Sequence, residues 1–320
     1  MSRASAVRLV VLAALWGSSF LWIKIALEGM SPIQLVLVRL ALGAAVVLVL
    51  ARLRGLRLPR GRAVWSRLLV AATLANALPF WLFAVGERTV DSAVAGVLNG
   101  TTPLWTVLVA LAARTEARLS PRRLGGLAVG FAGTLVIFEP WDAGTPIASW
   151  GGLACLLAAM CYGVSFVFMG RTLANRGIAP LALSAGQLVA ATMVTAAVTP
   201  FAGLQPLHLR AGAVAAVAVL GALGTGVAYV LNYRLITDEG ATATSTVTYL
   251  IPVAAVLLGA VVLAEPITVN VALGMVLVLA GVALAQRRRP AGVSGRRQPS
   301  VSGPPAPVDH AGHPGHAGRR

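Results

Sequence analysis

The sequence is short of charge. Of its 320 residues only 11% are Asp, Glu, Lys or Arg, and just 10 are acidic. A soluble domain carries roughly 25% charged residues, so this chain cannot build an ordinary water-facing surface. Cysteine is as scarce: Cys155 and Cys161 lie in one apolar run, spaced so that they point to different sides of a helix. That excludes a disulfide framework and a CxxC redox or zinc pair. Histidine occurs at His208 and, in the C-terminal tail, at His310, His313 and His316. Scattered carboxylates and one histidine outside the tail assemble neither a nucleophile–base pair nor a metal cluster, so no catalytic residue, metal or cofactor is expected. The tail histidines read as low-complexity drift.

What is abundant is apolar. Hydrophobic residues make up 58% of the chain and the mean hydropathy is +0.82, the balance of a membrane protein. A bilayer core takes about 20 mostly apolar residues in helical form. Ten such runs occur, at roughly 8–27, 32–51, 67–86, 91–113, 122–138, 150–170, 180–199, 212–233, 241–263 and 267–286. Ser31-Pro32 and Ser120-Pro121 set a capping hydroxyl before a proline at the first helical position. The connections are too short to hold a soluble domain. Residues 290–320, rich in Pro, Gly and Ser, build no core and read as a disordered cytoplasmic tail.

The basic charge is one-sided. With ten spans both termini share a side, and that side carries 22 of the 26 Lys and Arg residues; Lys24, Arg88 and Arg210 fall opposite and Arg39 falls inside a span. The positive-inside rule then places both termini in the cytoplasm. The natural partner of this charge is the anionic headgroup surface, and nucleic acid is not implied.

The sequence also repeats. Trp16-Gly17-Ser18-Ser19-Phe20 is echoed by Tyr162-Gly163-Val164-Ser165-Phe166. Pro32 and Arg39 match Pro180 and Gln187; Pro103 and Glu116 match Pro252 and Glu265; Gly126 and Gly133 match Gly274 and Gly281. Five spans per copy is an odd number, so the second copy inserts upside down, an arrangement that sets a site between the halves. The expected fold is an all-α integral membrane protein, ten transmembrane helices forming two inverted five-helix repeats at 5–141 and 150–288. The pattern W-G-x-x-F-x-x-x-K (Trp16, Gly17, Phe20, Lys24), followed by Pro32 and Arg39, resembles the EamA-type branch of the drug/metabolite transporter superfamily. So do the two half-endings, Pro103…Glu116…Gly126…Gly133 and Pro252…Glu265…Gly274…Gly281. The resemblance covers about residues 5–288. It implies an inner-membrane carrier that exports amino acids, related metabolites or drugs. Trp16 becomes Tyr162, Lys24 becomes Gly170 and Arg39 becomes Gln187 in the second copy, so the halves have specialised.

Polar groups inside apolar helices are expensive and therefore informative. Pro103 leaves the carbonyl of Asn99 without its helical partner, Pro252 does so for Thr248, and Pro79 frees that of Ala75. These prolines either expose backbone to a ligand or only shape packing. Asn99 and Thr102 share the Pro103 face; Ser245, Thr248 and Tyr249 share that of Pro252. Thr225, Tyr229, Asn232 and Tyr233 line one side of the eighth span, with Tyr233 suited to an interfacial belt. Trp16, Ser19, Asn76, Tyr162 and Ser165 complete the candidates. The expected substrate-binding set is Trp16, Ser19, Asn76, Asn99, Thr102, Tyr162, Ser165, Tyr229, Asn232 and Tyr249, with Pro79, Pro103 and Pro252 as helix-kink residues.

Arg39 lies about 10 Å deep at 1.5 Å per residue. It either gates or binds a substrate carboxylate, pairs with Glu28, Glu87 or Asp91, or snorkels to headgroups; Lys24, near a span end, reads as a snorkel. No carboxylate lies in mid-helix, which argues against a carboxylate-driven proton antiport. Glu116 and Glu265 read as caps on following helices. Gly96/Gly100 and Gly126/Gly130 have GxxxG spacing, with intramolecular packing the default and the choice between monomer and homodimer open. The function expected is a secondary transporter exporting a small metabolite by alternating access between the repeats. A drug or cation efflux carrier is the alternative, and a membrane-embedded enzyme or a channel is a remoter one.

Overall fold

The computed structural model describes residues 2–114, 121–138, 150–173, 176–202, 204–232, 234–235, 238 and 247–286. The tail with its three histidines, Glu116, Tyr233 and Ser245 lie outside the described residues, as do the side chains of Thr248 and Tyr249. The described residues form helices and no strand.

Among the described residues ten helical rods follow one another. The first, α1 (Arg3–Ala26), is started by Ser2, whose Oγ accepts the N–H of Ser5 at 3.1 Å. Next come α2 (Pro32–Leu53), α3 (Arg62–Gly86), α4 (Ser92–Ala112), α5 (Pro121–Phe138) and α6 (Trp150–Thr172). The last four are α7 (Pro180–Phe201), α8 (Ala211–Asn232), α9 (Val247–Leu263) and α10 (Val269–Gln286). Proline sits in the first turn of α2 and α7, where its missing N–H costs nothing. Seven rods, α1–α4 and α6–α8, are long and apolar enough to cross a membrane; α5, α9 and α10 carry the shorter apolar helices Leu124–Ile137, Leu250–Leu263 and Val269–Gly281. Large apolar side chains stand outward, among them Val7, Leu53 and Val261, as a lipid-facing surface requires. Trp150 and Phe201 mark rod ends and are 88% and 89% exposed.

Two of the prolines stand beside helix irregularities. A π-helical turn, Thr73–Ala77, precedes Pro79 in α3. In α4 the helix breaks between Asn99 and Thr102, just ahead of Pro103. Pro252 is held inside α9, its ring against Gly100 of α4. A second π-helical stretch, Val219–Val227, lies in α8. Such turns free backbone groups and re-aim the side chains beyond them.

The two sequence halves interleave. α1 and α4 pack on α9, α2 packs on α7 and α8, α3 packs on α6 and α7, and α5 packs on α10. Met1–Arg287 is accordingly one compact unit. The α5–α10 contact is a glycine seam: a Cβ on Gly281 would meet the backbone of Gly126 and Gly130, and one on Gly133 would meet Leu277, Val278 and Gly274. The GxxxG glycines of α4 are likewise used within the chain, Gly96 against Ala255 and Gly100 against Pro252. Without a hydrophobic force between helices in lipid, this close backbone approach is what holds them.

The seam makes a direct prediction. Gly281→Ala should lower the thermal stability of the purified protein by roughly 1–3 kcal/mol, the cost of overpacking. Gly125→Ala, on a face with nothing within 4 Å of the added carbon, should be neutral or gain up to about 1 kcal/mol from helix propensity. Equal melts for the two variants would contradict the seam.

Candidate functional site

A cavity of about 240 Å³ lies at mid-bundle. α1 supplies Trp16, Ser19, Phe20 and Ile23; α2 supplies Arg39; α3 supplies Ala75, Phe80 and Phe83. From α4 come Asn99 and Thr102, and from α6 Tyr162, Ser165, Phe166 and Met169; Gln187, Gly224, Tyr229, Asn232 and Ile251 complete the wall from α7, α8 and α9. Both halves therefore build it. Met169 and Asn232 stand near the ends of α6 and α8, so the cavity runs from mid-bundle toward the end that carries the N-terminus. Its aromatic wall is ordered: Phe20 meets Phe83 edge-on at 5.3 Å, and Phe83 stacks on Tyr162 at 6.1 Å.

Buried polar groups in the wall find partners across the halves. Arg39 Nε donates to Thr225 Oγ1 at 3.0 Å, and its guanidinium carbon lies 3.7 Å from the Phe80 ring centroid. Gln187 Nε2 donates to Asn76 Oδ1 at 2.6 Å, and Asn76 Nδ2 donates to the Tyr229 hydroxyl at 2.8 Å. The two bonds are counterparts: Gln187 stands 148 residues after Arg39, and Thr225 stands 149 after Asn76. Asn76 and Thr225 each sit in a π-helical turn, which directs the side chain at the facing helix of the other half.

At the opposite end of the bundle hydrogen bonds join separate rods and loops. Lys24 Nζ donates to the Val90 carbonyl at 2.7 Å, Gln34 Nε2 to the Gln205 carbonyl at 2.8 Å, and the His208 N–H to the Gly29 carbonyl at 2.9 Å. Glu265 closes the fourth contact. After α9, Ala264 adopts φ 54°, a left-handed turn that carries the chain back. The Glu265 carboxylate accepts the N–H groups of Ser92 and Ala93 at 2.9 and 3.0 Å and the Ser92 hydroxyl at 2.8 Å. It therefore caps α4, across the bundle, and not the helix that follows it. Beside this cap Glu87, at the end of α3, is 1% exposed, and neither carboxyl oxygen has a hydrogen-bond partner among the described residues. Burial pushes its carboxyl well above the usual carboxylate range. Lys24 opposes that rise, Glu265 adds to it, and Arg39 opposes it in turn.

The predicted residues are distributed as follows. Trp16, Ser19, Asn99, Thr102, Tyr162, Ser165, Tyr229 and Asn232 line the cavity. Asn76 is fully buried behind it and holds Tyr229 in place. Tyr249 lies in the first turn of α9 with its side chain outside the described residues. Arg39 lines the cavity and forms no ion pair with Glu28, Glu87 or Asp91. Lys24 turns inward to a carbonyl instead of snorkelling. The carbonyl of Asn99, released by Pro103, is taken by the Thr102 hydroxyl at 2.8 Å, so local bonding absorbs it. Phe20 and Phe166 entered the sequence reading only as landmarks of the repeat, and Phe80, Phe83 and Met169, which carry no signal in an apolar helix, were missed. Gln187 could have been found, because it occupies the Arg39 position of the second copy.

Residues 4–139 and 149–286 each match the EamA-like transporter family. The chain is similar to the uncharacterized transporter YdfC of Bacillus subtilis, 27% identical over 85% of this chain and 87% of that one. It is 25% identical to an uncharacterized transporter of Archaeoglobus fulgidus, over 88% and 98% of the two chains. It is also 26% identical to the uncharacterized inner membrane transporter YedA of Escherichia coli, over 78% and 80%. A solved crystal structure shares the fold with a TM-score of 0.63 at 21% identity, covering 89% of this chain and 98% of that one.

The burial of Glu87 sets a pH dependence. Its folded-state affinity for a proton exceeds that of the unfolded chain, so stability is lost as pH rises above the ordinary glutamate range. Thermal melts at about pH 5 and about pH 8 should show Glu87→Gln close to wild type at the lower value. At the higher value the variant should be the more stable of the two, because it carries no buried carboxylate. Parallel melts at both values would show that the carboxyl is solvated.

Proposed function

The chain belongs to the EamA-like transporter family, and from that membership and the cavity we propose a secondary carrier that exports a small metabolite, such as an amino acid, by alternating access. It is a multi-pass membrane protein whose ten rods we read as ten spans in two inverted five-helix repeats, 5–141 and 150–288. The matched bonds Arg39–Thr225 and Gln187–Asn76 support that symmetry. The excess of arginine around the N-terminal end supports a cytoplasmic location for that end, and similarity to the inner membrane transporter YedA supports an inner-membrane location. The conformation is then inward-facing: the outer end is sealed by Lys24, Gln34, His208 and Glu265, and the cavity runs toward the cytoplasm.

One observation carries this reading. A cavity at mid-bundle is lined by residues of both halves and reaches toward one end, while contacts join separate rods at the other. A carrier alternates by exchanging which end is sealed around a fixed site. Trp16, Ser19, Asn99, Thr102, Tyr162, Ser165, Tyr229 and Asn232 form that site, Asn76 positions Tyr229, and Pro79, Pro103 and Pro252 place the kinks.

The test is counterflow in proteoliposomes preloaded in turn with amino acids and with cationic drugs. Saturable exchange of one class is expected, and Tyr229→Ala or Asn99→Ala should reduce it at least about tenfold while folded yield stays near wild type. Equal loss of folded protein would make these packing residues, and absence of exchange across both panels would contradict a carrier of amino acids or of cationic drugs.

A further inference from the structure

Among the described residues Arg39 is the one charged side chain in the cavity wall, and no Asp or Glu accompanies it there. It is 6% exposed and pairs with no carboxylate among the described residues. A guanidinium keeps its charge at physiological pH and presents five N–H donors in a planar fork. One of the five is spent on Thr225, and one face of the plane is covered by Phe80. The two terminal amino groups are left for whatever occupies the cavity. An uncompensated cation in a low-dielectric site is costly, and a ligand that supplies the counter-charge recovers that cost. The carboxyl of Glu87 is buried, is not part of the cavity wall and forms no ion pair with Arg39.

The second copy of the repeat holds Gln187 at the corresponding position, and Gln187 is spent on Asn76. Among the described residues the site therefore has one charged pole, with the rings of Phe20, Phe83 and Tyr162 and the neutral polar groups of Ser19, Asn99, Thr102 and Asn232 around it. Resting on the carrier reading above, we propose that this site selects a carboxylate monoanion with an apolar or aromatic body, its carboxylate held in two parallel hydrogen bonds by Arg39. A planar carboxylate matches the fork. A phosphate dianion would call for a second cation, which the wall lacks. A cationic ligand meets an uncompensated like charge. The ammonium of a zwitterion finds no carboxylate, only amide oxygens, so zwitterions rank below simple carboxylates.

The test uses one body with three charges. 3-Phenylpropionate, 3-phenylpropanamide and 3-phenylpropylamine are titrated by calorimetry into the full chain in nanodiscs, with Arg39→Gln and Arg39→Lys alongside wild type. The carboxylate should bind roughly 10–100-fold more tightly than the amide, the worth of a charge-assisted bond, and the amine should be weakest. Arg39→Gln should bring the carboxylate down to the amide, which itself should bind unchanged and so reports folding. Arg39→Lys should fall between. Amine or amide binding as tight as the carboxylate overturns the proposal, as does undiminished carboxylate binding in Arg39→Gln or no saturable binding by any of the three. Should Arg39→Gln fail to fold, the charge series on wild type decides alone. Saturable counterflow of a cation, with no preference for the carboxylate, would sink this inference and leave the carrier standing.

Discussion

A polar side chain in an apolar bundle has no water to turn to, so the partner it finds fixes which helices touch. In this protein the buried partners lie in opposite halves. Arg39 of α2 reaches Thr225 of α8, and Gln187 of α7 reaches Asn76 of α3. Each bond ends on a π-helical turn, where the register is loosened and the side chain re-aimed. The helices that meet there enclose the cavity, and the same bonds leave Tyr229 and the rest of the Arg39 guanidinium facing it. Structure and site thus share one cause.

The rest of the bundle separates rigid seams from contacts that can be exchanged. The α5–α10 glycine seam brings backbones together with no room for a methyl group, and a seam of that kind resists sliding. The closed end is held differently, by four sets of hydrogen bonds from loop and helix-end residues. Such bonds are individually modest, and water satisfies the same groups once the end opens. Glu265 is the clearest instance, since its carboxylate serves as the N-terminal cap of a helix it does not precede.

Much of this was legible in the sequence because polar residues in apolar helices are rare. Trp16, Asn99, Tyr162, Tyr229 and Asn232 stood out for that reason, and all five line the cavity. Phe20, Phe80 and Phe83 did not, because lipid is as apolar as the interior and a phenylalanine fits either face. The closed end was hidden for another reason. Val90, Gln205 and Gly29 contribute only backbone carbonyls there, which no sequence pattern records. Glu87 and Glu265 lie outside mid-helix, as expected, but Glu265 caps a distant helix and Glu87 has no hydrogen-bond partner among the described residues, and both outcomes depend on how distant loops meet.

The measurement that bears most directly on alternating access is a reversible cross-link across the closed end. Ser92→Cys and Glu265→Cys, in a background with Cys155→Ala and Cys161→Ala, are joined by a short reducible bifunctional reagent, and substrate counterflow is followed before and after reduction. The account predicts that exchange stops while the link is in place and returns on reduction. Undiminished exchange through a fully linked protein would show that the closed end never has to open, and would contradict the account at its centre.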